Sequence, residues 1–331
     1  MAEQPEFRDA LFAALQRSED DVQSMGELTR LSGGASQETW AFTLFCEAAG
    51  PKAYILRRAP GGTAQSGGIG TGIGLPVEAQ IIEAARAAGV AAPAVIYVLK
   101  PEDGAGTGYV MARVEGETLA RRILRDTAFD AVRPRLAHQC GEAMARIHAT
   151  RLDGLPPLPR LDGPAQLRQY YERYQSYDQP KPVFELAFKW LQDNLRECTQ
   201  LVLVHGDFRN GNIMVHPQKG LNAVLDWELA HIGDPLEDLG WICVNSWRFG
   251  VTGRTAGGFG SAEDLLAGYG NPDLTVRHLK VWEVFGTLKW GIMCLSMYEA
   301  FRSGFDRSVE RAAIGRRSSE TEIDLVNLLI G

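Results

Sequence analysis

Apolar and polar positions along this chain change period about one third of the way through. Residues 28–31, 39–45 and 53–57 are short runs rich in β-branched and aromatic side chains, and Gly50-Pro51 marks a turn between the last two. Such runs bounded by turn residues predict strands. Further runs at 95–99 and 108–114 flank a polar turn at 101–106, and 77–88 reads as a helix stopped by Gly89. The first third is therefore expected to hold five strands in an antiparallel meander with one inserted helix. Phe7, Leu11, Ala14 and Leu15 fall on one face of a short amphipathic helix ahead of it. Beyond Gly116 the spacing becomes helical. Helices are predicted over 118–125, 130–150 (with Leu136, Cys140, Met144 and Ile147 in step), 165–177, 183–197, 279–301 and 319–329. A Pro-rich stretch at 155–164 reads as a surface connection, and short apolar runs at 201–204, 212–215 and 222–225 read as strands.

This pattern predicts an α+β fold with two lobes: a small antiparallel sheet with one helix over 1–115, and a larger, mostly helical lobe over 116–331, hinged near 112–117. Length and composition agree with it. The chain has 331 residues, 45% of them hydrophobic, enough for a sizeable core. The net charge of -7 argues against a nucleic-acid or anionic-membrane partner. Cys46, Cys140, Cys198, Cys243 and Cys294 share no CxxC spacing, which speaks against a zinc site or a disulfide framework. The N-terminus has acidic residues early and no long apolar core, and no run is long enough to span a bilayer. A soluble, cytoplasmic protein is expected.

Chemistry concentrates in residues 201–241. There His205, Asp207 and Asn212 stand in the order H-G-D-F-R-N-G-N, and Asp226 ends the next strand as Asp-Trp-Glu. One Asp or Asn after a strand is ordinarily a cap. Capping does not account for the whole string with both flanking strands. The five-residue step from Asp207 to Asn212 is the H-x-D-x-x-x-x-N spacing of a kinase catalytic loop. In that loop an Asp faces an incoming hydroxyl and an Asn turns its oxygen to a magnesium ion. Asp226 then stands where a second metal-binding Asp is expected, and hard oxygen ligands suit Mg2+.

HGDFRNGN followed by LDWELAHIGDPLEDLGW resembles the aminoglycoside phosphotransferase and choline kinase superfamily. It looks closest to the kinase-like branch that is fused to some acyl-CoA dehydrogenases and includes hydroxyacyl-CoA kinases. The resemblance covers nearly the whole chain, from LSGGASQETW to the late helices. It implies a protein-kinase-like fold with a nucleotide-binding lobe followed by a catalytic, acceptor-binding lobe. Ser32, Gly33, Gly34, Ala35 and Ser36 take the place of the nucleotide-covering loop, although the GxGxxG form is absent. Tyr54-Ile55-Leu56-Arg57 matches the V-A-I-K string with Arg57 in place of Lys, as this branch implies. Strand alternation sends Arg57 and Arg58 to opposite faces, and Arg57 is expected to meet phosphate. Glu78 is either its ion-pair partner or a charge favoured at a helix N-terminus. The backbone at Ala112 and Val114 is expected to meet adenine.

The implied reaction moves the ATP γ-phosphoryl group to the hydroxyl of a small-molecule acceptor, with Mg2+ as cofactor. Asp207 orients the hydroxyl and takes its proton, and Asn212 and Asp226 hold the metal. His205 and Asp234 brace loops, as does Asp238. Arg209 either meets a phosphate or an anionic acceptor, or braces Asp226. His148, Trp227 and Trp241 read as structural. The glycine run at 67–74 is too long for a dinucleotide turn and is expected to be a flexible loop near the nucleotide or acceptor that could serve as a lid. The resemblance favours a hydroxyacyl-CoA acceptor. An aminoglycoside or choline acceptor remains open, the latter through Trp247, Phe249, Trp282, Phe285, Trp290 and Tyr298. So does a nucleotide-binding pseudokinase that regulates a partner.

Overall fold

The computed structural model describes residues 6–19, 21–31, 37–63 and 72–330. The loop at 32–36 and most of the glycine run lie outside them. The chain divides into two compact units. One comprises Met1–Gly116 together with Thr150–Leu158 and Asn222–Ala230; the other comprises Glu117–Ala149, Pro159–Leu221 and His231–Gly331. The expected single division after residue 115 thus leaves out two later segments that pack with the first unit, and one of them carries Asp226.

In the smaller unit, helix α1 (Arg8–Ser18) precedes strands β1 (Val22–Met25), β2 (Thr29–Arg30), β3 (Glu38–Cys46) and β4 (Gly50–Arg58). Helix α2 (Leu75–Ala87) is followed by β5 (Val95–Val98) and β6 (Gly108–Ala112). The sheet runs β1-β3-β4-β6-β5, antiparallel throughout, with β2 paired to β3. Six strands form where the pattern predicted five. The sequence Val-Gln-Ser-Met of β1 alternates too briefly to signal, and its pairing with β3 makes it a strand. Leu11 and Leu15 of α1 are buried with Leu44, Leu56 and Val110, so the amphipathic helix covers one face of the sheet.

The larger unit holds α3 (Ala120–Arg125), α4 (Leu136–His148), β7 (Arg160–Leu161), α5 (Gly163–Gln175), α6 (Pro182–Asn194), β8 (Val202–Val204) and β9 (Ile213–His216). Strand β10 (Gly220–Val224) carries the chain out of it. After β11 (His231–Gly233) come α7 (Leu236–Trp241), α8 (Ala262–Tyr269), α9 (Val276–Arg302), α10 (Val309–Gly315) and α11 (Ser318–Ile330). Helix α4 is shorter than the predicted 130–150, because two 3-10 turns, Thr127–Phe129 and Arg133–Arg135, take up its start. Strands β7, β11 and β8 form a three-stranded sheet. The expected surface connection at 155–164 therefore ends in a strand parallel to β11. Phe184, Phe188 and Leu191 of α6 pack with Phe285, Leu288 and Ile292 of α9, the central helix. Among the described residues, no helix is long and apolar enough to cross a membrane.

Candidate active site

Strand alternation in β4 separates two adjacent arginines. Arg58 turns to Glu38 at 3.0 Å and over the Phe7 ring at 3.9 Å. Arg57 turns to three carboxylates: Glu78 Oε1 at 3.1 Å, Asp226 Oδ1 at 2.9 Å and Glu228 Oε2 at 3.9 Å. Glu78 stands in the first turn of α2 and is almost wholly buried. It also accepts the Trp227 backbone N–H at 3.1 Å and bonds the Tyr109 hydroxyl. A charge in the first helical turn and the ion pair with Arg57 thus coexist at Glu78.

Burial pushes the Glu78 carboxyl up to about 7 against the pull of Arg57, and the nearby charges of Asp226 and Glu228 add to the rise. Burial also opposes the Arg57 charge, but Glu78 and Asp226 outweigh it and hold the guanidinium firmly protonated. Three carboxylates around one guanidinium leave an excess of negative charge, which attracts a cation. Asp226 has φ 65°, a left-handed backbone that a non-glycine residue adopts at some cost. At the expected hinge, the Ala112 N–H is taken by Ala94 O at 2.8 Å and the Arg113 N–H by Ala53 O at 3.0 Å. Val114 is therefore the better backbone donor of the two residues named for adenine. The end of the glycine run packs in this unit, where Ile73 N–H donates to Glu228 O at 3.0 Å.

In the larger unit, β8 delivers the chain to His205 and Gly206, whose consecutive N–H groups both point at Asp238. Its Oδ2 accepts from His205 at 2.8 Å and its Oδ1 from Gly206 at 2.9 Å. Gly206 has φ 78°, which makes this turn natural for glycine. His148 Nε2 lies 3.2 Å from Asp238 Oδ2, and His148 Nδ1 lies 3.0 Å from the Tyr269 hydroxyl. A carboxylate only accepts, so this geometry assigns the Nε2–H tautomer to His148. Burial disfavours the Asp238 charge, but His148 and the backbone donors overcome it and lower its pKa. His205 Nδ1 accepts the Asp207 N–H at 3.2 Å. Asp234 accepts the Leu236 N–H at 2.8 Å, and burial raises its pKa.

The Asp207 carboxylate takes three donors. Trp241 Nε1 and Arg209 Nε reach Oδ1 at 2.7 and 2.9 Å, and Asn212 Nδ2 reaches Oδ2 at 2.6 Å. With its nitrogen committed to Asp207, Asn212 has its amide oxygen to offer a cation. The carboxylate partner of Arg209 is thus Asp207 of its own loop, and its guanidinium stacks over Trp247 at 4.6 Å. Asn210 is fully buried and ties the loop to Trp247 O and Gly257 O.

Trp241 had only a core reading in the sequence. It is buried, but an indole N–H needs an acceptor, and here the acceptor is the central carboxylate. Glu228, Tyr109, Glu237 and Lys289 also escaped the sequence reading. Only Glu228 had a signal, its position two residues after Asp226. Among the described residues, no group of three or more His, Cys, Asp and Glu side chains is gathered to hold a metal. A magnesium ion that keeps several waters and binds phosphate needs only one or two protein oxygens. Within the larger unit Asn212 Oδ1 has the chemistry for that limited role, and within the smaller unit so does the Asp226 carboxylate, its side chain about one-third exposed.

Known proteins show the same arrangement of elements. A candidate aminoglycoside phosphotransferase of Ralstonia eutropha superposes with TM-score 0.71 at 19% identity over 97% of each chain. A choline/ethanolamine kinase family protein of Mesorhizobium loti gives 0.61 at 18% identity, covering 98% of this chain and 95% of the other. At such identities the likeness establishes the kinase-like fold alone. In sequence, the chain is similar to acyl-CoA dehydrogenase family member 11 of Gallus gallus, 30% identical over 234 residues, 67% of this chain and 29% of the relative. It is 28% identical to family member 10 of Mus musculus over 229 residues, 66% of this chain and 20% of the relative. The chain thus spans under a third of the length of these relatives. The family model for the phosphotransferase enzyme family matches residues 27–274, and the chain belongs to that family.

Proposed function

We propose that this phosphotransferase moves the γ-phosphoryl group of ATP to the hydroxyl of a small molecule, and that the acceptor is a hydroxyacyl-CoA. The observation that carries the reading is the Asp207–Asn212 pair, 2.6 Å apart in one loop and anchored through Asp238. Asp207 orients the acceptor hydroxyl and takes its proton. The acceptor oxygen forms a bond to the γ-phosphorus, the bond from that phosphorus to the bridging oxygen breaks, and ADP leaves. In a loose transition state, positioning counts for more than basicity. Arg57 faces the phosphates and Glu78 holds Arg57. Asn212 and Asp226 would each offer an oxygen to magnesium, which when bound would neutralise charge on the phosphates.

Two observations support the acceptor. The curated relatives are acyl-CoA dehydrogenase family members. Three indoles of the larger unit already carry cations of this chain over their rings: Lys289 over Trp241, Arg209 over Trp247 and Arg317 over Trp290. Those cations occupy ring faces that a quaternary ammonium would need, which disfavours a choline-type acceptor. The test is to incubate the protein with Mg-ATP and 3- and 4-hydroxyacyl-CoAs, aminoglycosides and choline, and to read products by mass spectrometry. A phosphorylated hydroxyacyl-CoA, absent with Asp207→Asn, is expected. A phosphorylated aminoglycoside or choline instead overturns the acceptor but keeps the transfer. Full activity in Asp207→Asn overturns the role of Asp207.

A further inference from the structure

We infer that Trp241 is a positioning residue for the transfer and that Asp207 Oδ2, not Oδ1, is the oxygen that takes the acceptor's proton. This rests on the role proposed above for Asp207. Each carboxylate oxygen offers two lone pairs. At Oδ1 both are engaged, by Trp241 Nε1 at 2.7 Å and Arg209 Nε at 2.9 Å. At Oδ2 one is engaged, by Asn212 Nδ2 at 2.6 Å. The remaining lone pair of the group is therefore on Oδ2. A proton arriving at Oδ1 would set an O–H against two donors that cannot accept. At Oδ2 it leaves both donors satisfied.

Trp241 differs from the other two donors in origin. Arg209 and Asn212 belong to the same loop as Asp207 and move with it. Trp241 comes from α7, 34 residues away, and ties the carboxylate to the body of the unit. The indole is fixed on several sides. The Lys289 ammonium lies 5.0 Å from its centroid, and the Trp247 ring packs 5.2 Å away at 55°. Gly286 of α9 leaves the room that the ring edge occupies: a Cβ there would meet Trp241 Cε3 at 3.1 Å. A fixed indole that can only donate selects one orientation of the carboxylate and holds it before the acceptor arrives, which is how preorganised groups lower a barrier.

The bond is read first, by the indole N–H resonances of the seven tryptophans in 15N-labelled protein. Trp241→Phe removes one resonance and so assigns it. In Asp207→Ala that resonance is expected to move upfield and to exchange faster with D2O; an unchanged resonance overturns the inference. The second reading is kinetic. Trp241→Phe keeps the ring beside Lys289 and removes the donor. A fall in kcat of about 10- to 100-fold is expected, the range for one bond to a charged group, with KM for both substrates unchanged. Wild-type kcat in Trp241→Phe, or a raised KM beside the lowered kcat, overturns the positioning role while leaving Asp207 in place. Full activity in Asp207→Asn removes the inference together with the role on which it rests.

Discussion

Lys289 Nζ lies 2.9 Å from Glu237 Oε1; both side chains are buried, and the ammonium sits over the indole that holds Asp207. His231 Nε2 at 3.1 Å and Gln166 Nε2 at 2.5 Å occupy Glu237 Oε2. Burial works against both charges. Lys289 and His231 nevertheless pull the Glu237 pKa well below its ordinary value, and Glu237 pushes that of Lys289 up. Removing one partner strands the other. Lys289→Met is expected to cost about 3–5 kcal/mol in unfolding free energy, measured by urea titration, and Lys289→Met with Glu237→Gln is expected to recover part of that loss. Equal losses in the single and double variants would count against the pair. Because the folded pKa of Glu237 is depressed, its contribution is present above pH 4.5 and disappears as pH falls below it.

Glu78 gives the opposite pH dependence. Its pKa, about 7 in the folded protein against an ordinary 4.5, means that the folded state binds the proton more tightly. Stability from this group is therefore fullest below pH 4.5 and declines as pH rises toward 7. Glu283 is also raised to about 7 by burial, beside Arg248, and adds a decline of its own. Depressed carboxylates such as Glu237 and Asp238 titrate below this window. Glu78→Gln is expected to flatten, without abolishing, the fall in melting temperature between pH 4.5 and about 7. Parallel curves for the two proteins would show that Glu78 does not carry the proton.

Much of this arrangement was legible because neighbours in sequence carry it. H-G-D-F-R-N-G-N sets Asp207 and Asn212 within one loop, and period-two alternation divides Arg57 from Arg58. The donors that complete the carboxylate's surroundings were not legible. Trp241 meets Asp207 from 34 residues away, and Lys289 meets Glu237 from 52. Helical spacing explains a buried Trp or a central helix equally well whether or not its polar atom faces a loop. The short strands β7 and β11 were missed for a related reason. Two or three residues carry no periodicity, and only their pairing makes them strands.

Asp238 is expected to be indispensable to the loop that bears Asp207, although it does not touch that residue's side chain. Each of its oxygens accepts a backbone N–H, from Gly206 and His205, and His148 completes the set. Asp238→Asn sets an amide nitrogen against one of these donors. A loss of about 2–4 kcal/mol in stability is expected, with kcat reduced at least about ten-fold. Affinity for magnesium-free nucleotide, measured by calorimetry, should stay near wild type, because Arg57 and Glu78, proposed to meet the phosphates, belong to the other unit. A variant with full kcat would mean that the loop keeps its shape without this anchor.

Gly286 tests whether the Trp241 indole must sit where it does. Helix α9 passes the end of α7 and the residues after it so closely that a Cβ on Gly286 would lie 2.8 Å from Val244 Cγ2 and 3.1 Å from Trp241 Cε3. Alanine favours a helix over glycine by about 0.5–1 kcal/mol, which by itself would stabilise α9. Overpacking in a dense core costs about 1–3 kcal/mol, because neighbours shift only at the expense of their own contacts. The second effect is the larger, so Gly286→Ala is expected to lower stability by up to about 2 kcal/mol in urea titration. Both neighbours must give by a few tenths of an ångström, and one of them is the edge of the indole whose Nε1 holds Asp207 Oδ1. Displacing that edge lengthens the bond without removing it. Gly286→Ala should therefore lower kcat in the same direction as Trp241→Phe but by less, with KM unchanged. Added to Trp241→Phe it should have little further effect on kcat, since both act through the same bond. Independent, multiplying losses in kcat would show instead that Gly286 acts on the rate by another route.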